Sequence, residues 1–138
     1  MNRVCVDASV AIKWVAPEPG SDAALDLLEQ WGPHAELWVP DLFFAECANA
    51  LRHKAVYGPV SPEDAQQMLQ GLLQIEYQRV SGWDVAEEAL DLALRTGLTV
   101  WDACYLVVAR RVEADLWTAD KTLYEHGSRA HAAVRLLG

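Results

Sequence analysis

Val4-Cys5-Val6-Asp7-Ala8-Ser9-Val10 changes character at its central residue. Three strand-forming positions run into an aspartate, and residues 8–15 then read as a helix. Pro17-Glu18-Pro19-Gly20 ends that helix by fixed φ values and turn chemistry. The same pattern recurs late in the chain, where Leu116-Trp117-Thr118 precedes Ala119-Asp120 and a short helix. In open parallel sheets, ligands sit in the crevice outside the carboxyl ends of the strands, so an acid closing a strand is well placed for chemistry.

Between these two segments, short β-branched or aromatic runs alternate with helical patterns, an α/β signature. Ser21 is expected to cap a helix through Trp31, and residues 37–39 read as a strand. Pro40-Asp41 opens a long helix to about Tyr57, closed by Gly58-Pro59. Ser61-Pro62-Glu63-Asp64 has an N-cap serine and a first-turn proline, which predicts a helix to about Leu73. Residues 75–80 alternate as a strand, and Asp84-Val85-Ala86-Glu87 resembles a capping arrangement for a helix stopping at Gly97. Residues 100–112 form the next helix, with Arg110 and Arg111 suiting its C-terminal dipole. A final strand is expected over 134–136.

The 138 residues suit a single domain over 1–138 that buries roughly two thirds or more of its extended-chain surface. Cys5, Cys47 and Cys104 are odd in number, far apart and set among apolar residues, which favours core packing in a reducing compartment over disulfides or zinc. No run reaches the roughly 18 apolar residues a membrane span requires, so a cytoplasmic protein is expected. A formal net charge of −9 argues against a general nucleic-acid coat protein, which relies on a basic surface. An enzyme acting on RNA stays open, because a site acts through local charge.

Asp7, Glu46, Asp102 and Asp120 read together as a hard-metal site, yet each also has a plain structural account. Asp7 and Asp120 suit the N-caps of the helices they precede, a role typically worth about 1 kcal/mol. Thr99-Val100-Trp101-Asp102 fits a capping-box variant in which the Asp102 side chain returns to the Thr99 N–H. Glu46 stands beside an expected buried stripe of Phe44, Ala48 and Leu51, with Asn49 and His53 along one helix edge. Almost every neighbour of Asp102 on its helix is apolar, so an acid there needs partners. Gathered carboxylates also repel, by roughly 4 kcal/mol for a pair at 4 Å and an effective dielectric of 20.

The motifs Val6-Asp7-Ala8-Ser9-Val10 with Lys13-Trp14, Glu46-Cys47-Ala48-Asn49-Ala50-Leu51, Trp101-Asp102-Ala103-Cys104-Tyr105-Leu106 and Thr118-Ala119-Asp120-Lys121-Thr122-Leu123 come in a specific order. In order and spacing, over essentially the full length, the chain resembles the PIN-domain ribonucleases, and more narrowly the VapC toxins of type II toxin-antitoxin pairs. That resemblance implies a PIN-like α/β/α sandwich with a mainly parallel central sheet flanked by helices. It assigns Asp7, Glu46, Asp102 and Asp120 to a Mg²⁺ or Mn²⁺ site, with Ser9, Asn49 and Thr118 as supports for carboxylates or waters. Lys13, Arg52 and Lys121 become candidate RNA contacts. The implied activity is hydrolysis of a phosphodiester in a structured RNA, transfer or ribosomal, which inhibits translation. The implied partners are a cognate antitoxin, whose C-terminal segment presents an arginine to the acids, and a second copy in a homodimer or a higher toxin-antitoxin assembly. Some family members have a further acid beside the third motif; its absence here leaves a one-metal or two-metal mechanism open.

The six tryptophans are expected to pack in cores or interfaces, and His34, His53, His126 and His131, lacking metal-ligand spacing, to lie on the surface. Two other readings compete. A phosphoacceptor receiver domain needs paired acids after its first strand, whereas Asp7 is followed by Ala8-Ser9. A non-catalytic PIN-like scaffold that binds RNA or protein has little use for four mutually repelling acids.

Overall fold

A computed structural model describes residues 2–138. Five strands, β1 (Asn2–Val6), β2 (Ala35–Pro40), β3 (Gln78–Val80), β4 (Asp115–Thr118) and β5 (Val134–Leu136), form one sheet in the order β3-β2-β1-β4-β5. Every pairing is parallel. The connections are helical: α1 (Ala8–Val15) and α2 (Ser21–Trp31) join β1 to β2, and α3 (Leu42–Tyr57) and α4 (Pro62–Leu73) join β2 to β3. From β3 the chain passes through α5 (Gly82–Thr96) and α6 (Val100–Val112) to β4, and through α7 (Lys121–Gly127) to β5.

This topology decides where a site can form. The chain steps outward from β1 to β2 and β3, then jumps back past β1 to β4. With right-handed crossovers, the reversal sends α1–α4 to one face and α5–α7 to the other; the contacts agree, α1 packing on α2, α3 and α4, and α6 on α5 and α7. The switch point lies between the carboxyl ends of β1 and β4. Those ends are where Asp7 and Asp120 stand.

The core draws on β1, Val39 of β2, Leu116 of β4 and the inner faces of the surrounding helices, and one helix is buried almost all round. In α6 every side chain from Ala103 to Ala109 is buried, and the helix lies against β1, β2 and β4. No single helix among the described residues is long and apolar enough to cross a membrane; α5 and α6 approach that length and composition only as a pair, bent by 112°. Cys5, Cys47 and Cys104 are all free and buried.

Several local expectations are corrected. The N-cap of α2 is Gly20 in the left-handed region at φ 92°, and Ser21 instead uses its hydroxyl to accept from Glu18 N and donate to Ala16 O. β3 begins at Gln78 rather than 75, because Ile75 N still bonds to Leu72 O and the Tyr77 hydroxyl donates to the same carbonyl, winding up the end of α4. Ser81, not the Asp84 arrangement, caps α5 by accepting from Trp83 N. Asp41 precedes α3 but turns its carboxylate to Gly82 N, tying α3 to the start of α5. The buried stripe of α3 is Phe43, Cys47 and Leu51, one residue out of phase with the expected one at its first two positions. Of the two places expected for tryptophans, core or interface, Trp83 and Trp101, 93% and 62% exposed, do not take the core. His126 and His131 are partly buried and bond to the carbonyls of Thr96 and Ala114.

Leu106 illustrates how tightly α6 is held. It is fully buried, and a methyl group at Gly127 of α7 would come within 3.2 Å of its Cδ2. Truncation there leaves a cavity that backbone packed on both sides has little room to close. Leu106→Ala is expected to lower unfolding free energy by about 2–5 kcal/mol, measured as a fall in the urea midpoint with an unchanged slope.

Candidate active site

The parallel register sets Val6 beside Trp117, so Thr118, one step on, comes level with Asp7. Asp7 is 6% exposed and caps α1. Its Oδ1 accepts from Val10 N at 3.2 Å and from the Ser9 hydroxyl at 2.6 Å, and its Oδ2 accepts from the Thr118 hydroxyl at 2.5 Å. Those two hydroxyls have second bonds of their own: Ser9 Oγ accepts from Ala119 N at 2.9 Å and Thr118 Oγ1 from Asp120 N at 3.0 Å. Asp7 is thereby linked to the backbone that places Asp120. Burial raises the Asp7 pKa; the bonds from Ser9, Thr118 and Val10 oppose it, the Asp102 charge adds to it, and the result is a rise from 3.8 to about 6.

Asp120 is exposed and caps α7, its Oδ1 accepting from Thr122 N and Leu123 N. Both structural accounts of the strand-end acids therefore hold, and neither prevents a second role: in each carboxylate, lone pairs remain beyond those bonds.

The other two acids come from the N-terminal parts of α3 and α6. Glu46 is partly buried on α3, and its Oε1 accepts from the Tyr105 hydroxyl at 2.5 Å. Burial raises its pKa while the tyrosine lowers it, for a net rise. In α6 the Thr99 side chain accepts from Asp102 N, as an N-cap should. The expected return bond from the Asp102 side chain to Thr99 N–H is not among those of the described residues. Burial, with the charges of Asp120 and Glu46, raises Asp102 from 3.8 to about 6 against an opposing bond from Thr99. Asp102 is thus linked by charge to each of the other acids: Asp120 and Glu46 raise it, and it raises Asp7.

An open cavity of about 640 Å³ borders this cluster, with Ser9, Glu46, Asn49 and Asp120 on its wall. Asn49 is exposed there, whereas Ser9 and Thr118 hold Asp7 directly. Lys13 and Lys54 also line it, and Glu18 pairs with both. Lys13 also donates to Pro19 O at 2.9 Å. Burial disfavours the Glu18 charge, but bonds from Lys54 and Lys13 outweigh that and hold its carboxyl below the ordinary range. Arg52 and Lys121 are exposed and do not line the cavity.

Carboxylate oxygens alone suit Mg²⁺ or Mn²⁺, and the repulsion centred on Asp102 is what a cation there would relieve. Among the described residues, no three His, Cys, Asp or Glu side chains are drawn into a ready-made cage. Tyr105 is the participant that motif reading passes over; its place three residues after Asp102, on the same face of α6, is the signal that would have found it.

Comparison with known proteins places this geometry. A PIN-domain profile matches residues 4–128. Ribonuclease VapC3 of Pyrobaculum aerophilum is 33% identical over 125 residues, spanning 89% of this chain and 93% of that protein. PAE2754 of Pyrobaculum aerophilum superposes with a TM-score of 0.74 at 24% identity, covering 99% of this chain and 90% of that one. A toxin-antitoxin complex from Klebsiella pneumoniae superposes with a TM-score of 0.68 at 17% identity, covering 98% of both chains.

The raised acids set the sign of a pH effect. A carboxyl whose pKa is higher folded than unfolded is accommodated below pH 4, where it is protonated in both states. Its cost grows as pH rises through 4 and is complete above about 6, on the order of 3 kcal/mol for buried Asp7. Asp7→Asn keeps an oxygen to cap α1 and never ionises. In chelator, its melting temperature relative to wild type is expected to climb between pH 4 and pH 7. A constant offset, or a growing deficit, would mean that capping by the ionised carboxylate outweighs its burial.

Proposed function

The chain belongs to the PIN-domain family, and from that premise we propose that it is a Mg²⁺- or Mn²⁺-dependent endoribonuclease, the VapC-type toxin of a type II toxin-antitoxin pair. The observation that carries this reading is the convergence of Asp7, Glu46, Asp102 and Asp120 from four separate elements on one sheet edge, with Asp102 coupled to the other three. These four acids would hold the ion. When bound, such an ion lowers the pKa of a water, shields the scissile phosphate and stabilises charge on the leaving oxygen. Ser9 and Thr118 keep the Asp7 carboxylate from turning. Asp7 and Asp102 ionise more readily with a cation opposite them than without one.

The proposed substrate is a structured RNA, transfer or ribosomal, whose cleavage inhibits translation. The cavity beside Glu46 and Asp120 is open to solvent, and Lys13 with Lys54 leaves an excess of one positive charge over Glu18 in its lining. Arg52 and Lys121 stand exposed on the helices that carry Glu46 and follow Asp120. The proposed partner is a cognate antitoxin; the net charge of −9 suits a basic binding segment, and one of the folds matched comes from a toxin-antitoxin complex. A homodimer, or a higher assembly, is supported by Trp83, Leu90 and Leu94, exposed along one face of α5, and by Trp101 at the start of α6. The proposed compartment is the cytoplasm, where such RNA resides.

The cap roles of Asp7 and Asp120 favour one competing account, a PIN-like scaffold that does not cut. One assay separates them: the purified chain, free of partner, is incubated with total cellular RNA in Mg²⁺, Mn²⁺ or chelator beside Asp7→Asn, and new ends are mapped. Discrete metal-dependent cuts bearing 5′-phosphates, lost in the variant, are expected. Intact RNA from a chain that binds no metal would sink the nuclease reading.

A further inference from the structure

Among the contacts around the four acids, one comes from a residue buried in the hydrophobic core. Tyr105 is 1% exposed, and its hydroxyl donates to Glu46 Oε1 at 2.5 Å across the gap between α6 and α3. The ring is flanked on α6 by buried Cys104 and Leu106, so the core fixes where the hydroxyl can be. Glu46, by contrast, is a partly buried side chain at the edge of an open cavity, with rotamers to lose. A short hydrogen bond to a carboxylate is among the stronger ones available. We infer that Tyr105 is the positioning residue for Glu46: its hydroxyl holds one carboxylate oxygen and leaves Oε2 as the oxygen offered to an ion. Because Asp102 lies one turn earlier on the same helix, α6 carries one acid of the cluster and the group that orients another. The inference rests on the metal-nuclease reading and extends it to a residue outside the acid set.

A tyrosine hydroxyl that merely satisfies itself on the nearest acceptor would look the same in a static structure. Tyr105→Phe separates the two, since it keeps the ring and removes only the donor. Mn²⁺ affinity is read by electron paramagnetic resonance, well below the melting temperature of every variant, for wild type, Y105F, E46A and the double variant. The expected result is a fall of about 10- to 100-fold in Mn²⁺ affinity for Y105F, the usual effect of removing a group that orients a ligand. Adding Y105F to E46A is expected to weaken binding no further. Unchanged Mn²⁺ affinity in Y105F with only a lower melting temperature would overturn the assignment and leave the nuclease reading intact. Equal losses in the presence and absence of Glu46 would also overturn it. A wild-type chain that binds no Mn²⁺ would sink the metal reading and this inference together.

Discussion

The Asp7 carboxylate joins the two central strands beyond the last rung of their ladder. It accepts from Val10 N at the start of α1, from Ser9 on the same turn and from Thr118 at the end of β4. The hydroxyls of Ser9 and Thr118 accept in turn from Ala119 N and Asp120 N. A buried carboxylate is costly unless donors meet its lone pairs, and these three donors occupy most of them while leaving a position on Oδ2. The result is a fixed junction at the switch point of the sheet, from which Asp120 and the start of α7 are placed.

Against that junction works the repulsion of the acids themselves. Asp7 and Asp102 are both raised to about 6, first by burial and then by neighbouring carboxylates. A fold optimised for stability alone would not set Asp102 where Glu46 and Asp120 press on it. Functional sites often carry such a local cost, offset by packing elsewhere. Here the offset is α6, buried from Ala103 to Ala109 and anchored on three strands, which holds Asp102 at the edge of the core. The rigidity that stabilises the domain is also what keeps like charges together.

Charge on the cavity wall is similarly balanced. Two lysines line the same cavity as Glu46 and Asp120, but Glu18 binds both, so the wall is less basic than a count of lysines suggests. Lys13, a candidate phosphate contact in the sequence, also braces α1 against the Pro17–Gly20 turn through Glu18 and Pro19.

Much of this was legible before any coordinates. The switch from strand to helix at Asp7, the N-cap at Ser61, the apolar run of α6 and the four acid-bearing motifs are local patterns, and local patterns follow from φ preferences, capping and periodicity. What stayed hidden depends on residues far apart in sequence. Periodicity could not say that the α3 stripe runs through Phe43 and Cys47, since adjacent apolar residues serve either phase. Nor could it show that Trp83 and Trp101 stay outside the core, that Asp41 reaches Gly82, or that Ser21 serves the turn before it. The sequence by itself determined the alternation of elements and named the acids. Only the tertiary structure decided that all five strands run parallel in the order β3-β2-β1-β4-β5, that Thr118 completes Asp7, and that Tyr105 meets Glu46 59 residues away. The reason is physical: caps and turns are fixed within a few residues, whereas strand order and the pairing of distant polar groups are settled only when the whole core closes around them.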